Sequence, residues 1–243
     1  MNILILAAGN SAATNADGYP LCLSEVMGRP LIQVMLEKWQ GLEVHFFIMF
    51  NGADVQKYHL HQVVEQVSPQ AQVISIHSAT AGAVCTSLMA IDQINNAEPL
   101  VILNGDEILD IDYAKALQFF SDQQLDAGVV IFDSVHPRYS YVQLDENGLV
   151  VEAAEKNPIS RNATVGFYWY KKGSNFVQAA MSSIKKQALL DPPYFVCPVF
   201  NELVLGGQKI GAFRIDKAAY KPLKTKQQLM EFQASMALSG KSL

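Results

Sequence analysis

The stretch MNILILAAG, residues 1–9, decides the fold class of this 243-residue chain. Residues 3–6 form an apolar run of Ile and Leu, which is typical of a strand buried on both faces of a parallel sheet. The small residues Ala7, Ala8 and Gly9 follow at once. Because small residues let the backbone approach a ligand and aim its N–H groups at it, the sequence predicts a strand whose carboxyl end makes close contacts.

Apolar runs of the same kind recur along the first half of the chain, separated by segments of helical length. The predicted strands cover residues 3–6, 44–50, 73–76, 100–103 and 128–132, and the predicted helices cover residues 31–39, 55–67, 83–94 and 113–120. Strand–helix alternation implies right-handed crossovers. The predicted fold class is therefore α/β, a doubly wound, mainly parallel sheet with helices on both faces.

The second half of the chain is richer in strands. Residues 139–144 and 149–153 flank Asp145-Glu146-Asn147-Gly148, a strong hairpin signal. Further strands are predicted at 165–170 and 210–215, and helices at 174–185, 195–205 and 225–238. No linker rich in Gly, Pro or Ser separates the halves. We therefore expect a single domain over 1–243, in which residues 136–243 add a small β-rich extension to residues 1–135.

Composition excludes several classes of function. The formal charge is −5 and no basic run is present, which argues against a general nucleic-acid binder. The three cysteines are widely spaced, at Cys22, Cys85 and Cys197, which argues against a disulfide framework or a structural zinc site and fits a reducing cytosol. The longest apolar runs fall short of the roughly 18–20 residues that cross a bilayer, so no membrane partner is expected.

The first residues also allow a signal-peptide interpretation, because Ser11-Ala12-Ala13 follows the apolar run. No positive side chain precedes that run, and residues 3–8 are shorter than a signal core of about 7–15 residues. A buried first strand is the preferred interpretation.

Ligands of open α/β sheets bind beyond the carboxyl ends of the strands, so the residues that follow the strands are the candidate site. Gly9 follows the first strand, Thr80-Ala81-Gly82-Ala83 the third, and Asn104-Gly105-Asp106-Glu107 the fourth. An aspartate in such a place can supply the hard oxygen ligands that Mg²⁺ requires. We therefore expect Gly9, Gly82 and Asp106 to converge at one rim of the sheet.

Several motifs, in this order and spacing, resemble the sugar-1-phosphate nucleotidyltransferases, in particular the branch associated with capsule and lipopolysaccharide precursors. They are LILAAG (4–9), GYP (18–20), GRPLI (28–32), TAGAVCTSLMA (80–90), NGDEIL (104–109), EKNPIS (155–160), VGFYWY (165–170) and YFVCPVFNEL (194–203). The resemblance implies a nucleotide-diphospho-sugar transferase-like fold. It also implies a cytoplasmic enzyme that forms an NDP-sugar and pyrophosphate from a nucleoside triphosphate and a phosphorylated sugar.

The resemblance further implies a role for each matching residue. Residues 1–135 would hold the nucleotide, through Leu6, Ala7, Ala8, Gly9, Thr80, Gly82 and Gly105. Residues 136–243 would hold the acceptor, through Glu155, Lys156, Gly166 and Tyr194. Asp106 would bind Mg²⁺, and Asp106 and Lys156 would serve the catalysis. Whether the chain forms a homo-oligomer is left open.

The chain departs from the family pattern where positive charge is expected. The family's first loop normally reads Gly-x-Gly-Ser/Thr-Arg, followed by a Pro-Lys pair, whereas this chain has Ser11, Ala13 and Leu21 at the corresponding positions. The family pattern also has a late Gly-Thr pair that normally follows a second acidic metal ligand. In this chain Thr225 matches the threonine of that pair, but Lys224 stands in place of the glycine. We therefore expect weak nucleotide binding or slow turnover, unless Lys171, Lys172 or a partner chain supplies the missing charge.

Two alternatives remain beside the working nucleotidyltransferase. One is a catalytically degenerate homologue that acts as a binding or regulatory module. The other is a nucleotide-sugar-dependent glycosyltransferase, for which Asp110-Ile111-Asp112 would hold the metal, although these acids also suit a helix start. His59 and His61 do not form a metal pair, because residues two apart on a helix face different sides.

Overall fold

The structure is a computed structural model that describes residues 1–9, 19–26, 28–187 and 193–239. The strands are β1 (Asn2–Ala7), β2 (Glu25–Val26), β3 (Arg29–Pro30), β4 (His45–Asn51), β5 (Gln72–Ile76), β6 (Leu100–Asn104), β7 (Glu107–Leu109), β8 (Ala127–Asp133), β9 (Tyr141–Leu144), β10 (Val150–Ala154), β11 (Asn162–Tyr170), β12 (Ile210–Arg214) and β13 (Tyr220–Pro222). The helices are α1 (Leu31–Glu37), α2 (Gly52–Tyr58), α3 (Leu60–Val67), α4 (Ala83–Leu88), α5 (Ile91–Ile94), α6 (Tyr113–Asp122), α7 (Gly173–Gln187), α8 (Phe200–Leu205) and α9 (Lys226–Ser239).

Strands from both halves of the chain form one nine-stranded sheet within the described residues. Its order is β10-β9-β11-β6-β1-β4-β5, while β8 pairs with β11 and β12. Strand β1 is parallel to β4 and β6, and β4 is parallel to β5. Strand β11 runs antiparallel to β6 and β8. The predicted α/β class is confirmed, and the mixed pairing lies where the second half of the chain joins.

Apolar layers cover both faces of the sheet, because successive residues of a strand point to opposite sides. On β1, Ile3 and Ile5 pack with residues of α1, α3, α6 and α9, whereas Leu4 packs with residues of α4, α7 and α8. The helices therefore lie on both faces, as the alternation predicts. Among the described residues, no helix has the length and apolar character needed to cross a bilayer.

Three predicted helices are interrupted in the structure. The helix predicted at 55–67 is α2 and α3, separated by His59 in the left-handed region with φ of 52°. The helix predicted at 83–94 is α4 and α5, and the one predicted at 195–205 is a 3₁₀ turn at Cys197–Val199 followed by α8. His59 and His61 are exposed, as expected.

A two-stranded ladder outside the main sheet was not predicted. Strand β13 pairs antiparallel with β7, with Pro222 opposite Glu107. The next residue, Leu223, donates its backbone N–H to the carbonyl of Asp106 at 2.7 Å. This ladder brings the chain around residue 224 to the end of β6, where ligands of α/β sheets bind.

Candidate active site

A cavity of about 780 Å³ opens at the carboxyl ends of β1, β4, β5 and β6. Its size falls in the range of small-molecule sites. Its lining includes most of the residues that the sequence indicated: Leu6, Ala8, Gly9, Thr80, Gly82, Asp106, Glu155, Lys156 and Gly166. The structure thus brings Gly9, Gly82 and Asp106 together around one space, and Glu155, Lys156 and Gly166 line the same space.

A second, smaller cavity of about 420 Å³ lies beside the first and shares Leu6, Gly9, Asn51 and Asp106 with it. The remaining two residues indicated for the nucleotide side, Ala7 and Gly105, line this smaller cavity. Leu21 also lines it, and its side chain is only 6% exposed. The position where the family pattern expects a lysine is therefore an apolar part of the wall. Ser11 and Ala13 lie outside the described residues.

Gly82 holds the turn before α4 against the backbone of Tyr194. Its φ is 111°, and a Cβ at this position would lie 2.5 Å from the carbonyl oxygen of Tyr194. The N–H of Tyr194 donates to the carbonyl of Ala81 at 2.7 Å, and Val84 N–H donates to the carbonyl of Tyr194 at 3.1 Å. Tyr194 does not line the cavity, whereas its neighbour Phe195 does. Tyr194 thus supplies main-chain support for the glycine turn, and its contact with an acceptor stays a prediction.

Gly166 makes room for the side chains of Asn104, at the end of β6, and Glu107, at the start of β7. The register of β11 shifts between Thr164 and Tyr168, and the N–H of Gly166 donates to Oε1 of Glu107. A Cβ on Gly166 would lie 2.1 Å from Nδ2 of Asn104. Glycine is therefore required here by close packing, and the bulge aims its N–H out of the sheet at a carboxylate.

Glu107 is a buried carboxylate that the sequence did not single out. Its Oε2 accepts a hydrogen bond from the hydroxyl of Tyr220 at 3.1 Å. Burial raises the pKa of Glu107 to about 7. The positive charge of Lys224 opposes this rise, and the negative charge of Asp106 adds to it. The hydrogen bonds from Gly166 and Tyr220 also oppose the rise. The only signal in the sequence was its place beside Asp106.

Lys224 carries positive charge into the centre of the site. Its Nζ lies 3.9 Å from Oδ1 of Asp106 and 3.9 Å from Oε2 of Glu107, and it lines the larger cavity. The side chains of Lys224 and Asp106 are 48% and 35% exposed, so both reach the solvent-filled space. Burial alone would lower the pKa of Lys224, but the carboxylates of Glu107, Asp106 and Glu155 outweigh that effect and raise it.

The acceptor side of the cavity has further charged groups. Glu155 accepts a hydrogen bond from the hydroxyl of Ser140, and burial raises its pKa although this hydrogen bond opposes the shift. Lys156 adopts a left-handed backbone with φ of 51°, and its Nζ lies 4.9 Å from the centre of the Phe195 ring. Such a conformation is uncommon for a lysine and is often found at functional sites. Arg138 also lines the cavity.

Lys171 and Lys172 do not supply the missing charge within this chain. Strand β11 is antiparallel to β6 and pairs Tyr170 with Leu100, the first residue of β6. The two lysines that follow Tyr170 therefore lie at the edge opposite the cavity. Among the described residues, the Lys and Arg side chains that line the larger cavity are Arg138, Lys156 and Lys224.

The pair Asp110 and Asp112 does not face either cavity. Oδ1 of Asp112 accepts from the N–H of Lys115 at 3.2 Å and caps α6, as the helix-start interpretation predicts. The N–H of Asp110 donates to the carbonyl of Ala219. The glycosyltransferase alternative therefore has no geometric support among the described residues.

Comparison with known proteins identifies the family. A family model described as "Nucleotidyl transferase" matches residues 21–192, which is more than half of the chain. The chain belongs to the nucleotidyl transferase family. Lys224 lies beyond the matched residues of this nucleotidyl transferase, so the family match does not describe it.

Relatives and solved structures agree with this nucleotidyl transferase assignment. The chain is 34% identical over 94 residues to glucose-1-phosphate adenylyltransferase of Ruminiclostridium cellulolyticum, covering 37% of this chain and 22% of the relative. It is 26% identical over 140 residues to the enzyme of that name from Bacillus cytotoxicus, covering 55% of this chain and 37% of the relative. The chain thus spans well under half the length of these curated relatives.

Two solved structures share the fold of the nucleotidyl transferase chain. The nucleoside-diphosphate-sugar pyrophosphorylase from Vibrio cholerae RC9 superposes with a TM-score of 0.76 at 18% identity, covering 96% of this chain and 100% of that chain. A putative glucose-1-phosphate thymidylyltransferase from Bacillus anthracis, in complex with a sucrose, superposes with a TM-score of 0.74 at 19% identity, covering 97% and 94%.

The donor set around Asp106 does not fit a resident Mg²⁺ in this nucleotidyl transferase. Mg²⁺ takes six oxygens in octahedral geometry, usually one or two carboxylates with water and phosphate. Both oxygens of Glu107 accept hydrogen bonds within the protein, and the ammonium of Lys224 lies beside both carboxylates. Within the described part of the chain, no three His, Cys, Asp or Glu side chains are grouped to hold a metal.

Proposed function

We propose that this chain transfers a nucleoside monophosphate from a nucleoside triphosphate to a phosphorylated sugar. A phosphate oxygen of the acceptor attacks the α-phosphorus and forms a new P–O bond. The bond from the α-phosphorus to the bridging oxygen breaks, and pyrophosphate leaves with the electron pair. The products are an NDP-sugar and pyrophosphate.

The observation that carries the proposal is one cavity with two kinds of wall at the carboxyl edge of the parallel strands. Glycine turns at Gly9 and Gly82 form the nucleotide side, where close backbone approach is needed. Glu155 and Lys156 form the acceptor side, where a carboxylate can accept sugar hydroxyls and an ammonium can bind phosphate. A shared cavity supports direct transfer, because phosphoryl-type transfer depends chiefly on positioning and on neutralising charge.

The described Lys and Arg side chains that would neutralise the phosphates line the larger cavity beyond the glycine turns. Arg138, Lys156 and Lys224 offer positive charge to the acceptor phosphate and to the leaving pyrophosphate. Leu21 offers none, and we expect turnover to be slow for this reason. Mg²⁺, which the family resemblance implies, would accompany the triphosphate in solution, because the protein's own donors do not form a site for it.

The wider assignment follows from the product. An NDP-sugar is a glycosyl donor, which fits a role in the synthesis of capsule or lipopolysaccharide precursors in the cytoplasm. In this proposal residues 1–135 serve the nucleotide and residues 136–243 the acceptor, within one domain. Self-association would not be required, because the described residues already supply both walls of the cavity.

The test is pyrophosphate release from a panel of nucleoside triphosphates and sugar 1-phosphates. The parent protein should release pyrophosphate with one pair of substrates. The substitution Lys156→Ala should weaken the binding of the sugar phosphate by about 1.5–3 kcal/mol, the range for a charged hydrogen bond. Lys171→Ala is the matched control, because this lysine lies at the opposite edge and should leave affinity unchanged. Equal affinity of Lys156→Ala and the parent would contradict the acceptor assignment.

A catalytically degenerate homologue is the second candidate function. The observation that favours it is the apolar wall at Leu21, where the family pattern expects a cation. Such a protein would bind a triphosphate or a sugar phosphate in the same cavity without releasing pyrophosphate. Calorimetric binding with no release from any pair of the panel would favour this binding module and contradict the enzyme.

A further inference from the structure

Lys224 places an ammonium beside both carboxylates at the end of β6 and the start of β7. Its Nζ is equidistant, at 3.9 Å, from Oδ1 of Asp106 and Oε2 of Glu107. A metal at this point would need to displace the ammonium or to share the two carboxylates with it. At these distances an ammonium repels a second cation strongly in a partly buried site.

The backbone holds Lys224 in this position. Pro222 pairs with Glu107 in the β7–β13 ladder, and Leu223 donates to the carbonyl of Asp106 at 2.7 Å. Lys224 is therefore the first residue after a stretch that is fixed against β7 by main-chain contacts. A side chain on such a support has a defined direction, which favours specific binding over loose surface attraction.

The two carboxylates do not use up the capacity of Lys224. An ammonium has three donors, and its distances to both carboxylates are longer than direct hydrogen bonds. The side chain is about half exposed and lines the larger cavity. Its donors are thus available to an anionic group entering from the nucleotide or the acceptor side.

We infer that Lys224 is the built-in cation of this site, and that it binds the phosphates of the ligand without a divalent metal held by the protein's own side chains. The inference rests on the proposed function for the identity of the ligand, a phosphorylated compound that yields or contains a pyrophosphate group. Asp106 and Glu107 position the ammonium, and Tyr220 and Gly166 hold Glu107 in turn. Lys224 replaces a metal that would have to be captured from solution.

Two binding measurements test this inference without any turnover. In the first, inorganic pyrophosphate is titrated into the protein by calorimetry in the presence of excess EDTA. The parent should bind, and Lys224→Gln should weaken binding by about 10- to 100-fold, as expected for loss of a charge-assisted hydrogen bond. Lys224→Arg keeps the charge and should retain most of the affinity. Lys221→Gln is the matched control, because this nearby lysine lies in β13 and does not line the cavity.

In the second measurement, Mn²⁺ is titrated into the parent and Asp106→Asn, and free Mn²⁺ is followed by electron paramagnetic resonance. The two proteins should leave the same amount of free Mn²⁺. Saturable Mn²⁺ binding that Asp106→Asn abolishes would overturn the inference. So would absence of pyrophosphate binding in EDTA, or equal affinity in the parent and Lys224→Gln.

These outcomes differ from failure of the proposed function. If no pair of substrates releases pyrophosphate, the transferase proposal fails while both binding measurements still decide the role of Lys224. The Mn²⁺ titration uses folded parent protein, so its result does not depend on the stability of any Lys224 variant.

Discussion

The two walls of the larger cavity differ in charge. The wall built from the ends of β1, β4 and β5 carries small and neutral polar groups such as Ala8, Gly9 and Thr80. The rest of the lining, called the charged wall, carries Arg138, Lys156 and Lys224, which are the Lys and Arg side chains that line this cavity among the described residues, together with the carboxyl groups of Asp106, Glu107 and Glu155. One wall therefore suits close backbone contact, and the other suits anion binding.

The difference shows that a site can keep its shape while its charge is supplied from elsewhere. The family pattern expects cations in the first loop and after Pro20, whereas this chain has the uncharged and buried Leu21 after Pro20. The described cations come instead from the segment before β9, the segment after β10 and the segment after β13. A phosphate bound here is expected to lie closer to these three segments than to the β1 turn.

Restoring the charges that the family pattern expects in the first loop and after Pro20 should have the largest effect on this comparison. Ala13→Arg combined with Leu21→Lys should raise the rate of pyrophosphate release by roughly 10³-fold, because one arginine at a phosphoryl-transfer site is commonly worth that much. Leu21 lines the smaller cavity together with Asp54 and Asp106, so a lysine there has space and carboxylate partners. Steady-state kinetics on the best substrate pair measures the change.

The matched control places a charge outside both cavities, as in Gln123→Lys, and should leave the rate unchanged. If the parent already turns over at an ordinary enzyme rate of about 1–10³ s⁻¹ and the double variant is no faster, the cations of the charged wall are sufficient for catalysis. The difference in charge between the two walls would then not limit the rate of pyrophosphate release.

The walls should also differ in their tolerance of an added methyl group. On the charged wall, Gly166→Ala would place a Cβ 2.1 Å from Nδ2 of Asn104 and 2.5 Å from Oε1 of Glu107. We expect a loss of unfolding free energy of about 1–3 kcal/mol, the usual result of overpacking. Chemical denaturation followed by circular dichroism measures it.

Gly9→Ala provides the control on the neutral wall, because a Cβ there meets no described atom within 4 Å. Its unfolding free energy should stay close to that of the parent. Equal losses in the two variants would mean that the charged wall is no more tightly packed than the neutral one.

The smallest expected effect concerns thiol labelling. Cys22 lines the smaller cavity and Cys197 the larger one, and burial raises the pKa of both thiols, that of Cys22 to about 12. Cys85 is less buried, and burial raises its pKa less strongly. Because the thiolate is the reactive form, iodoacetamide should label Cys85 first at pH 8, as peptide mass spectrometry would show.

Raising the pH should increase the labelling of Cys22 through the whole range below about 12, because its thiolate fraction keeps growing. Cys85→Ser should remove the fast phase and leave the slow one. Rapid labelling of Cys22 or Cys197 at pH 8 would show that the wall concerned opens readily.

Local sequence patterns predicted the sheet and the main lining residues but missed most long-range contacts. Gly9, Gly82 and Asp106 follow strands, and the rule for strand ends was enough to bring them together. The break at His59 was not predicted, because the left-handed residue there is neither Gly nor Pro, the residues that usually mark the end of a helix in sequence. Tyr194 supports the Gly82 turn through main-chain hydrogen bonds, and the type of its side chain does not predict such bonds.

Lys224 was visible in the sequence only as a departure from the family pattern. Its function depends on the β7–β13 ladder, and both strands are only three residues long, too short for a clear alternation of polar and apolar residues. Glu107 and Gly166 show the same limitation, because the carboxylate and its N–H donor are 59 positions apart.

The β7–β13 ladder has a consequence for the order in which the molecule is built during synthesis. Tyr220 and Glu107 are 113 positions apart, so the carboxylate leaves the ribosome long before its hydroxyl partner. Until β13 arrives, the nascent chain has β6 and β7 but lacks both Tyr220 and the ammonium of Lys224. Contacts of such sequence separation form late and slow the final step of folding. A nascent or truncated chain that stops before residue 220 would therefore keep Glu107 hydrated or protonated, and the cavity would be completed only when the last strand docks.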